Sequence, residues 1–537
     1  MTVRATSSPA ASRLAWAGAA LTALLLFFSF GPAGHPACAF VALVPAALAA
    51  TLRPDWRAWR RASFVTSWAL WIALLAWLRH VYPPLGWLGL VLLTAYCALY
   101  PCAWLFLLRW IFPACADAGL PARLLALGGL AGAWGLLEWT RATLLTGFGW
   151  LPLAASQQGN PVMLGLCAWA GPTGLSMALV LFNLGLARWI VRVVEAYRED
   201  ARLAPAGPGG WLRRLTPELY LGLVPVALGF LALLSANAAR SASEQTPLVA
   251  AVVQTDFDPN AKWDAARLQD HLAVAEALTA EAAAGRRADL VLWPEAALPL
   301  TLDSEAYVAR LAALSQATAT PLVIGAIDRR GAGYANAVAV VTADGAQKPA
   351  YAKRHLVPFG EYVPFADFLP LRKVVPISED CVAGAGPTLL PLTTRGGRTF
   401  LAGALVCYED VFPELAREHA QAGADVLVVV TNDAWYGREA GAYQHAAHSV
   451  LLAAATGLPV LRCGNAGWSG SIDAFGRAFP VREAGSVYFR GGRIAEPVAL
   501  PVRRPAPTFW VRHGDWAVGV GGLLFALAYV WRRRRAA

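Results

Sequence analysis

The stretch Leu401-Ala-Gly-Ala-Leu-Val-Cys407-Tyr-Glu-Asp-Val-Phe-Pro413 sets the reading of this chain. Its uncharged apolar run reads as a buried strand that stops on a cysteine. Acids follow at once, and then a helix start. Similar short apolar runs recur on either side, at Leu248–Gln254, Asp289–Pro294, Pro321–Ile327, Ala335–Thr342, Asp425–Thr431 and Pro459–Cys463. Between several of them lie Ala-rich helical patterns, such as Ala265–Ala284 and Glu305–Thr318. Strands alternating with helices predict an α/β layered domain, bounded at Thr246 and Arg504.

Outside that domain the composition changes. The 537 residues are 57% hydrophobic and only 15% charged, against about 25% charged in ordinary soluble domains. The deficit lies before Ala239. Seven apolar runs are expected to span a membrane there: Leu14–Pro32, Ala37–Leu52, Ser63–His80, Leu88–Ile111, Arg123–Trp139, Val162–Ile190 and Leu219–Ala238. An eighth is expected at Trp516–Trp531. The chain thus divides into a seven-helix transmembrane domain (1–238), a catalytic domain (246–504), and a last helix with a basic tail (512–537).

The net charge of +10 fits membrane topology better than nucleic acid. No basic stretch is interleaved with aromatics for base stacking. Arg53, Arg57, Arg60 and Arg61 fall between spans two and three, and Arg109 and Arg123 between four and five. Arg188, Arg192, Arg198, Arg202, Arg213 and Arg214 fall between six and seven, and Arg532 to Arg535 follow span eight. Positive residues stay cytoplasmic. Both termini are therefore expected inside and the large domain outside, which in a bacterial inner membrane is the periplasmic face. The first run, preceded by Arg4 and Arg13, is read as an uncleaved helix because no clear small-x-small cleavage site follows it. The linkers from span seven into the domain and from the domain to span eight are short, which holds both ends of the domain near the bilayer surface.

The eight cysteines form no CxxC pair or Cys/His cluster, so no metal is expected. Cys38, Cys97, Cys102, Cys115 and Cys167 read as packing residues. Cys381, Cys407 and Cys463 lie in the polar domain, and an odd number leaves at least one thiol there without an intrachain partner. Whether Cys381 and Cys463 pair is open.

Three motifs carry chemistry. Asp289-Leu-Val-Leu-Trp-Pro-Glu295 ends a strand on a carboxylate, where partial desolvation suits a general base. Tyr351-Ala-Lys353-Arg-His-Leu-Val-Pro-Phe-Gly-Glu361-Tyr-Val-Pro is an aromatic, Pro-rich loop whose lysine suits oxyanion stabilisation, with Glu361 placed to orient it. Cys407 becomes a nucleophile if a cation lowers its pKa or a base takes its proton. Taken singly, each has a plainer reading: a surface acid, a basic loop facing lipid headgroups, a buried inert thiol. Glu138 and Arg141, at the outer end of span five, are either membrane-domain contacts or a snorkelling pair.

In order and context, Trp-Pro-Glu295, the Lys353 loop and Cys407-Tyr-Glu resemble the Glu-Lys-Cys triad of the nitrilase or carbon–nitrogen hydrolase superfamily. The resemblance implies a four-layer α-β-β-α sandwich, with Glu295 as base, Cys407 as nucleophile and Lys353 stabilising the tetrahedral intermediate. The full chain resembles the membrane-bound apolipoprotein N-acyltransferase family. The Lys353–Pro364 loop carries this, with Cys407-Tyr-Glu409, Thr431-Asn-Asp-Ala-Trp435-Tyr-Gly, and Leu137-Glu-Trp-Thr-Arg141 followed by Leu145-Thr-Gly-Phe.

That resemblance implies supporting roles for Glu361, Tyr408 and Glu409. It also implies Trp263, Trp435 and Tyr436 on substrate or lid loops. It implies a phospholipid acyl donor, phosphatidylethanolamine, and a diacylglyceryl-modified apolipoprotein as acceptor. No cofactor and a monomer are expected. The sequence departs from the family pattern at Asp380-Cys-Val-Ala-Gly, which lacks Pro-Gly, and at Arg462-Cys-Gly-Asn465, which replaces a Thr/Asn-rich stretch. Two other readings stay open: a membrane-tethered amidase, and a transporter or receptor with a degenerate domain.

Overall fold

The computed structural model describes residues 9–31, 34–83, 85–200, 216–285, 287–347, 349–368, 370–373, 375 and 379–536. Arg4, Arg202, Arg213 and Arg214 lie outside them, as does the Arg198 side chain. The chain forms two compact units. One reaches to Ser235 and resumes at Asp515, and the other is Ala236–Gly514.

The first unit is helical. Five described helices are long and apolar enough to cross a bilayer: Ala10–Phe27, Leu85–Cys115, Leu120–Thr146, Cys167–Tyr197 and Pro217–Ala239. The run expected as span two is instead broken into Pro36–Ala39 and Val44–Thr51. At about 1.5 Å per residue, Pro36–Thr51 falls short of a ~30 Å hydrocarbon core. Trp56–Leu74 starts earlier than the hydrophobic run suggested. Asp55 caps it, accepting from Arg57 N (2.8 Å) and Ala58 N (3.1 Å), so Arg57, Arg60 and Arg61 lie within the helix rather than before it. Likewise Arg532 to Arg535 belong to the final helix, Trp516–Ala536. This helix packs on Leu120–Thr143 through small residues. A Cβ at Gly132 would lie 2.1 Å from the Gly521 carbonyl oxygen, so only glycine permits the approach.

The second unit is a four-layer sandwich. A seven-stranded sheet runs in the order Gly491–Ile494, Ala250–Gln254, Leu290–Leu292, Leu322–Arg330, Gly333–Thr342, Gly345–Ala346, with Tyr351–Ala352 paired to Gly333–Thr342. A six-stranded sheet runs Ala478–Pro480, Gly470–Ile472, Val460–Gly464, Val426–Thr431, Thr399–Val406, Leu389–Thr393. The central strands of each are parallel. Alternation within strands builds the layers. Val252, Leu292, Val338 and Val340 face Ala404, Val406, Val428 and Leu461 between the sheets. Ala251, Val253, Val291 and Ile324 face the other way, onto Leu272, Ala275 and Leu311 of the helices Leu268–Ala283 and Glu305–Thr318. The helices Pro413–Ala422 and Gly441–Thr456 cover the second sheet. Burial on both faces explains why the central strands read as unbroken apolar runs. A further antiparallel pair, Gln245–Leu248 with Val498–Pro501, brings the two ends of the unit side by side.

Candidate active site

The three motif residues leave strand ends of the two sheets. Glu295 follows Leu290–Leu292. Pro294 cannot extend a ladder, and Ala296 turns away with φ +39°. The turn rests on Gly325, where a Cβ would meet the Pro294 carbonyl oxygen at 2.2 Å and Glu295 Cα at 2.6 Å. Lys353 follows Tyr351–Ala352, and its N–H donates to the Asn336 carbonyl (2.7 Å). Cys407 follows Thr399–Val406. The register pairing Val406 with Val430 carries Cys407 and Thr431 out of adjacent strand ends. The Cys407 backbone is left-handed, φ +52°, an uncommon conformation for a residue with a Cβ.

Lys353 is 1% exposed. Its ammonium sits 2.9 Å from both oxygens of Glu361 and 3.7 Å from Glu295 Oε1. Burial alone would push its pKa down, but Glu361, Glu295 and Cys407 outweigh burial and hold it well above the usual lysine value. It is a fixed cation at any physiological pH. Asn336 Nδ2 joins the two carboxylates, donating to Glu295 Oε1 (2.7 Å) and Glu361 Oε1 (3.0 Å). The Cys407 thiol is pushed up strongly, by burial first and then by the Glu295 carboxylate, with Lys353 opposing. The resting group is therefore a thiol, which needs a base to become a nucleophile. Among the described residues no group of three or more His, Cys, Asp or Glu side chains is arranged to hold a metal.

Comparison with known proteins places both parts of the chain in families. Residues 249–500 match the carbon-nitrogen hydrolase family, and residues 22–185 match the apolipoprotein N-acyltransferase N-terminal domain. The apolipoprotein N-acyltransferase of Geobacter metallireducens is 32% identical over 536 residues, covering 96% of this chain and 95% of its own. The chain belongs to the apolipoprotein N-acyltransferase family. The Brucella melitensis relative is 32% identical over 465 residues, covering 83% of this chain and 81% of its own. Among solved structures, an amidase of the nitrilase superfamily from Nesterenkonia AN1 aligns at 19% identity and a TM-score of 0.36, covering 52% of this chain and 98% of that one. As a member of the apolipoprotein N-acyltransferase family with apolar helices, the protein is a membrane acyltransferase with a carbon–nitrogen hydrolase domain.

The remaining candidate residues divide by position. Glu361 is next to Lys353, and its Oε2 also accepts from Val357 N (2.8 Å), which folds the loop around the lysine. Glu409 is fully buried and accepts from Tyr351 Oη (2.9 Å), Arg354 N (2.6 Å), His355 N (3.2 Å) and Val406 N (2.7 Å). It thus ties the lysine loop to the cysteine turn. Tyr408 is buried edge-on to Phe412, on which His355 stacks. Trp263 is half exposed in the turn Ala261–Trp263, and Trp435 lies in the turn Asp433–Tyr436. Tyr436 is buried with its ring edge-on to His445, in the wall of the site. Cys381 and Cys463 are both free thiols. Cys463 lies in the inter-sheet core, donating weakly to Val253 and Leu292 carbonyls.

Glu138 and Arg141 belong to the helical unit and have a local structural explanation. Glu138 Oε1 accepts from Trp134 Nε1 and Leu153 N, both at 2.7 Å. Arg141 donates to the Phe148 and Trp150 carbonyls, both at 2.7 Å, and lies over the Trp71 ring. Together they clamp the segment after their helix, where Leu145, Thr146 and Leu151 have positive φ. Both also line an apolar cavity with Leu26, Trp71, Trp104 and Trp134.

Sequence reasoning missed three features of the site. Asn336 is one. The second is Lys262, 2% exposed, whose ammonium donates to the Glu295 carbonyl (3.3 Å). Burial lowers its pKa to about 8, against the opposing pull of Glu295 and Cys407. The third is a buried charged cluster behind Cys407. A lysine hidden beside an exposed Trp carries no spacing signal. The arginine in the otherwise apolar strand Val460–Gly464 does carry one, because a charge is almost never fully buried unless paired.

Proposed function

We propose that the enzyme moves the sn-1 acyl chain of phosphatidylethanolamine to the α-amine of a diacylglyceryl-cysteine on an apolipoprotein, through a thioester on Cys407. Glu295 takes the Cys407 proton as the sulfur attacks the ester carbonyl. Lys353, with a backbone N–H near Tyr408, balances the oxyanion. The C–O bond breaks, the leaving oxygen takes the proton from Glu295, and a lysophospholipid departs. The neutral α-amine then attacks the thioester. Glu295 takes the amine proton, the C–S bond breaks, and Glu295 returns the proton to sulfur. The products are an amide, making the lipoprotein triacylated, and the starting thiol. This is ping-pong chemistry.

The observation that carries the reading is the buried Lys353 ammonium held between Glu361 and Glu295. A cation fixed by a second carboxylate leaves Glu295 available as the base for a high-pKa thiol. In this reading residues 1–238 and 512–537 are the membrane domain, with both termini cytoplasmic. Residues 246–504 are a periplasmic catalytic domain, the membrane is the inner one, and the enzyme works as a monomer. Placement at a bilayer suits the substrates, because extracting a lipid costs about 0.8 kcal/mol per CH₂.

Product analysis tests the reaction. Vesicles containing the protein, phosphatidylethanolamine labelled in the sn-1 chain and a diacylglyceryl-cysteinyl peptide are expected to yield N-acylated peptide and lysophospholipid in equal amounts. Labelled free fatty acid with no acylated peptide overturns the transfer reading in favour of hydrolysis.

A further inference from the structure

The buried cluster behind Cys407 takes no part in the chemistry above. Asp410, Asp433, His445 and Arg462 are each fully buried. His445 Nδ1 lies 2.8 Å from Asp433 Oδ1. Its Nε2 lies 2.8 Å from Asp410 Oδ1 and meets hydrogen-bond geometry with the Cys407 carbonyl oxygen at 3.2 Å. Arg462 donates from Nη1 to Asp410 Oδ2 (2.5 Å) and from Nη2 to Asp433 Oδ2 (3.2 Å). Ser449 Oγ donates to Asp410 Oδ2 (2.6 Å), and Thr431 Oγ1 to Asp433 Oδ1 (2.9 Å).

Both ring nitrogens of His445 face acceptors. A neutral imidazole has one N–H, so only the imidazolium satisfies both sides. The cluster then holds two anions and two cations and is neutral overall, as full burial demands. Burial opposes the charge on His445 and Arg462 repels it, but Asp410 and Asp433 outweigh both and raise its pKa to about 9. Of the other neighbours, Tyr436 stays protonated, with its pKa well above its usual value, and His448 faces Asp410.

The cluster sits where strain needs support. Cys407 carries a positive φ, and such a conformation persists only where surrounding contacts over-determine it. Glu409 fixes the N–H of Val406 before the turn, and Asp410 anchors the turn three residues beyond the cysteine. His445 supplies the bond to the carbonyl of Cys407 itself.

We propose that His445, working as an imidazolium between Asp410 and Asp433, is a positioning residue that clamps the Cys407 carbonyl and holds the nucleophile in its left-handed turn. The proposal rests on Cys407 being the nucleophile. It gives the reaction a second requirement for charge: an intact cation behind the sulfur as well as Lys353 in front of it. Deprotonating His445 leaves the cluster with a net negative charge under a sulfur that must itself become negative.

The test uses the full-length protein in phospholipid vesicles and reads the rate of Cys407 acylation, iodoacetamide alkylation against pH, and Tm. Asp433→Asn combined with His445→Gln removes one charge of each sign and keeps the cluster neutral. Acylation in the folded double variant is expected to fall about 100-fold, the scale of a 1 Å misplacement. In wild type, acylation should decline as pH rises through about 9, and this decline should vanish in the double variant. A lowered Tm with acylation and alkylation profiles unchanged overturns the proposal, since a purely structural role predicts that pattern. Should the double variant fail to fold, the wild-type profile decides alone: acylation that does not fall between pH 8 and 10 (a range around the value of about 9) overturns it. Cys407→Ala runs alongside. If that variant is still acylated, the nucleophile reading fails; if it is silent while the double variant matches wild type, only the positioning inference fails.

Discussion

Replacing Lys353 with Met should destabilise the catalytic unit and slow transfer together, and the size follows from the site. The ammonium is 2.9 Å from Glu361 and 3.7 Å from Glu295. With an effective dielectric constant of about 20, these pairs attract by about 6 and about 4.5 kcal/mol. Burying the ammonium returns several kcal/mol of that gain. Removing one partner of a buried pair typically costs about 3–5 kcal/mol, because the acids left behind are uncompensated. For a unit of this size that lowers Tm by about 6–20 °C, at roughly 2–4 °C per kcal/mol. Loss of the oxyanion cation should cost about 100- to 1,000-fold in rate.

The sign of the pH dependence is fixed. Lys353 has a raised pKa in the fold, so its stabilisation is fully present below the unfolded value of about 10.4 and fades only as pH rises beyond it. The assay is thermal unfolding of wild type and Lys353→Met in detergent from pH 6 to 9, a range chosen below about 10.4. The gap in Tm should be present throughout. An inactive variant with unchanged Tm would refute the reasoning, since the lysine would then be no part of a buried ion network.

Three further outcomes are expected. Lys262→Met should raise stability below pH 8, because burial lowers that lysine from 10.5 to about 8, worth about 3 kcal/mol at most. The gain should shrink as pH rises from about 8 to the unfolded value of about 10.4, which unfolding across that range checks. Gly325→Ala should cost activity with modest loss of fold, because its Cβ would meet the Pro294 carbonyl at 2.2 Å and displace Glu295; single-turnover acylation measures it. Asn336→Leu removes the amide bridging Glu295 and Glu361. It should slow acylation more than it lowers Tm, where losing a hydrogen bond to a charged group costs about 1.5–3 kcal/mol.

The sequence was most legible where physics acts locally. The central strands of both sheets are apolar on both faces, so Asp289–Pro294 and Asp425–Thr431 marked Leu290–Leu292 and Val426–Thr431. Glu295 and Cys407 stood at the ends of such runs, whereas Lys353 was read from its aromatic, Pro-rich loop. Pairings made by edge strands were less legible. Gly491–Ile494 pairs with Ala250–Gln254 across more than two hundred residues, and a four-residue Gly-rich segment has no period to read. Helix Gly441–Thr456 was missed because it is buried almost all round, so its polar residues Gln444, His445, His448 and Ser449 mark no solvent-facing side. Lys262, Asn336 and His445 acquire their meaning only through partners more than thirty residues away in the chain. In the helical unit, hydropathy read Ala37–Leu52 as one span where two short helices form, and left out the arginine-bearing turns that begin Trp56–Leu74.

The central claim is an acyl chain carried by Cys407 sulfur. Wild type and Cys407→Ala, incubated with acyl-labelled phosphatidylethanolamine and no acceptor, are digested and read by peptide mass spectrometry. The account predicts the acyl mass on the wild-type peptide containing Cys407, released by hydroxylamine as a thioester requires, and none on the alanine variant. Label on the Cys407→Ala protein, or on another residue of the wild type, would contradict it.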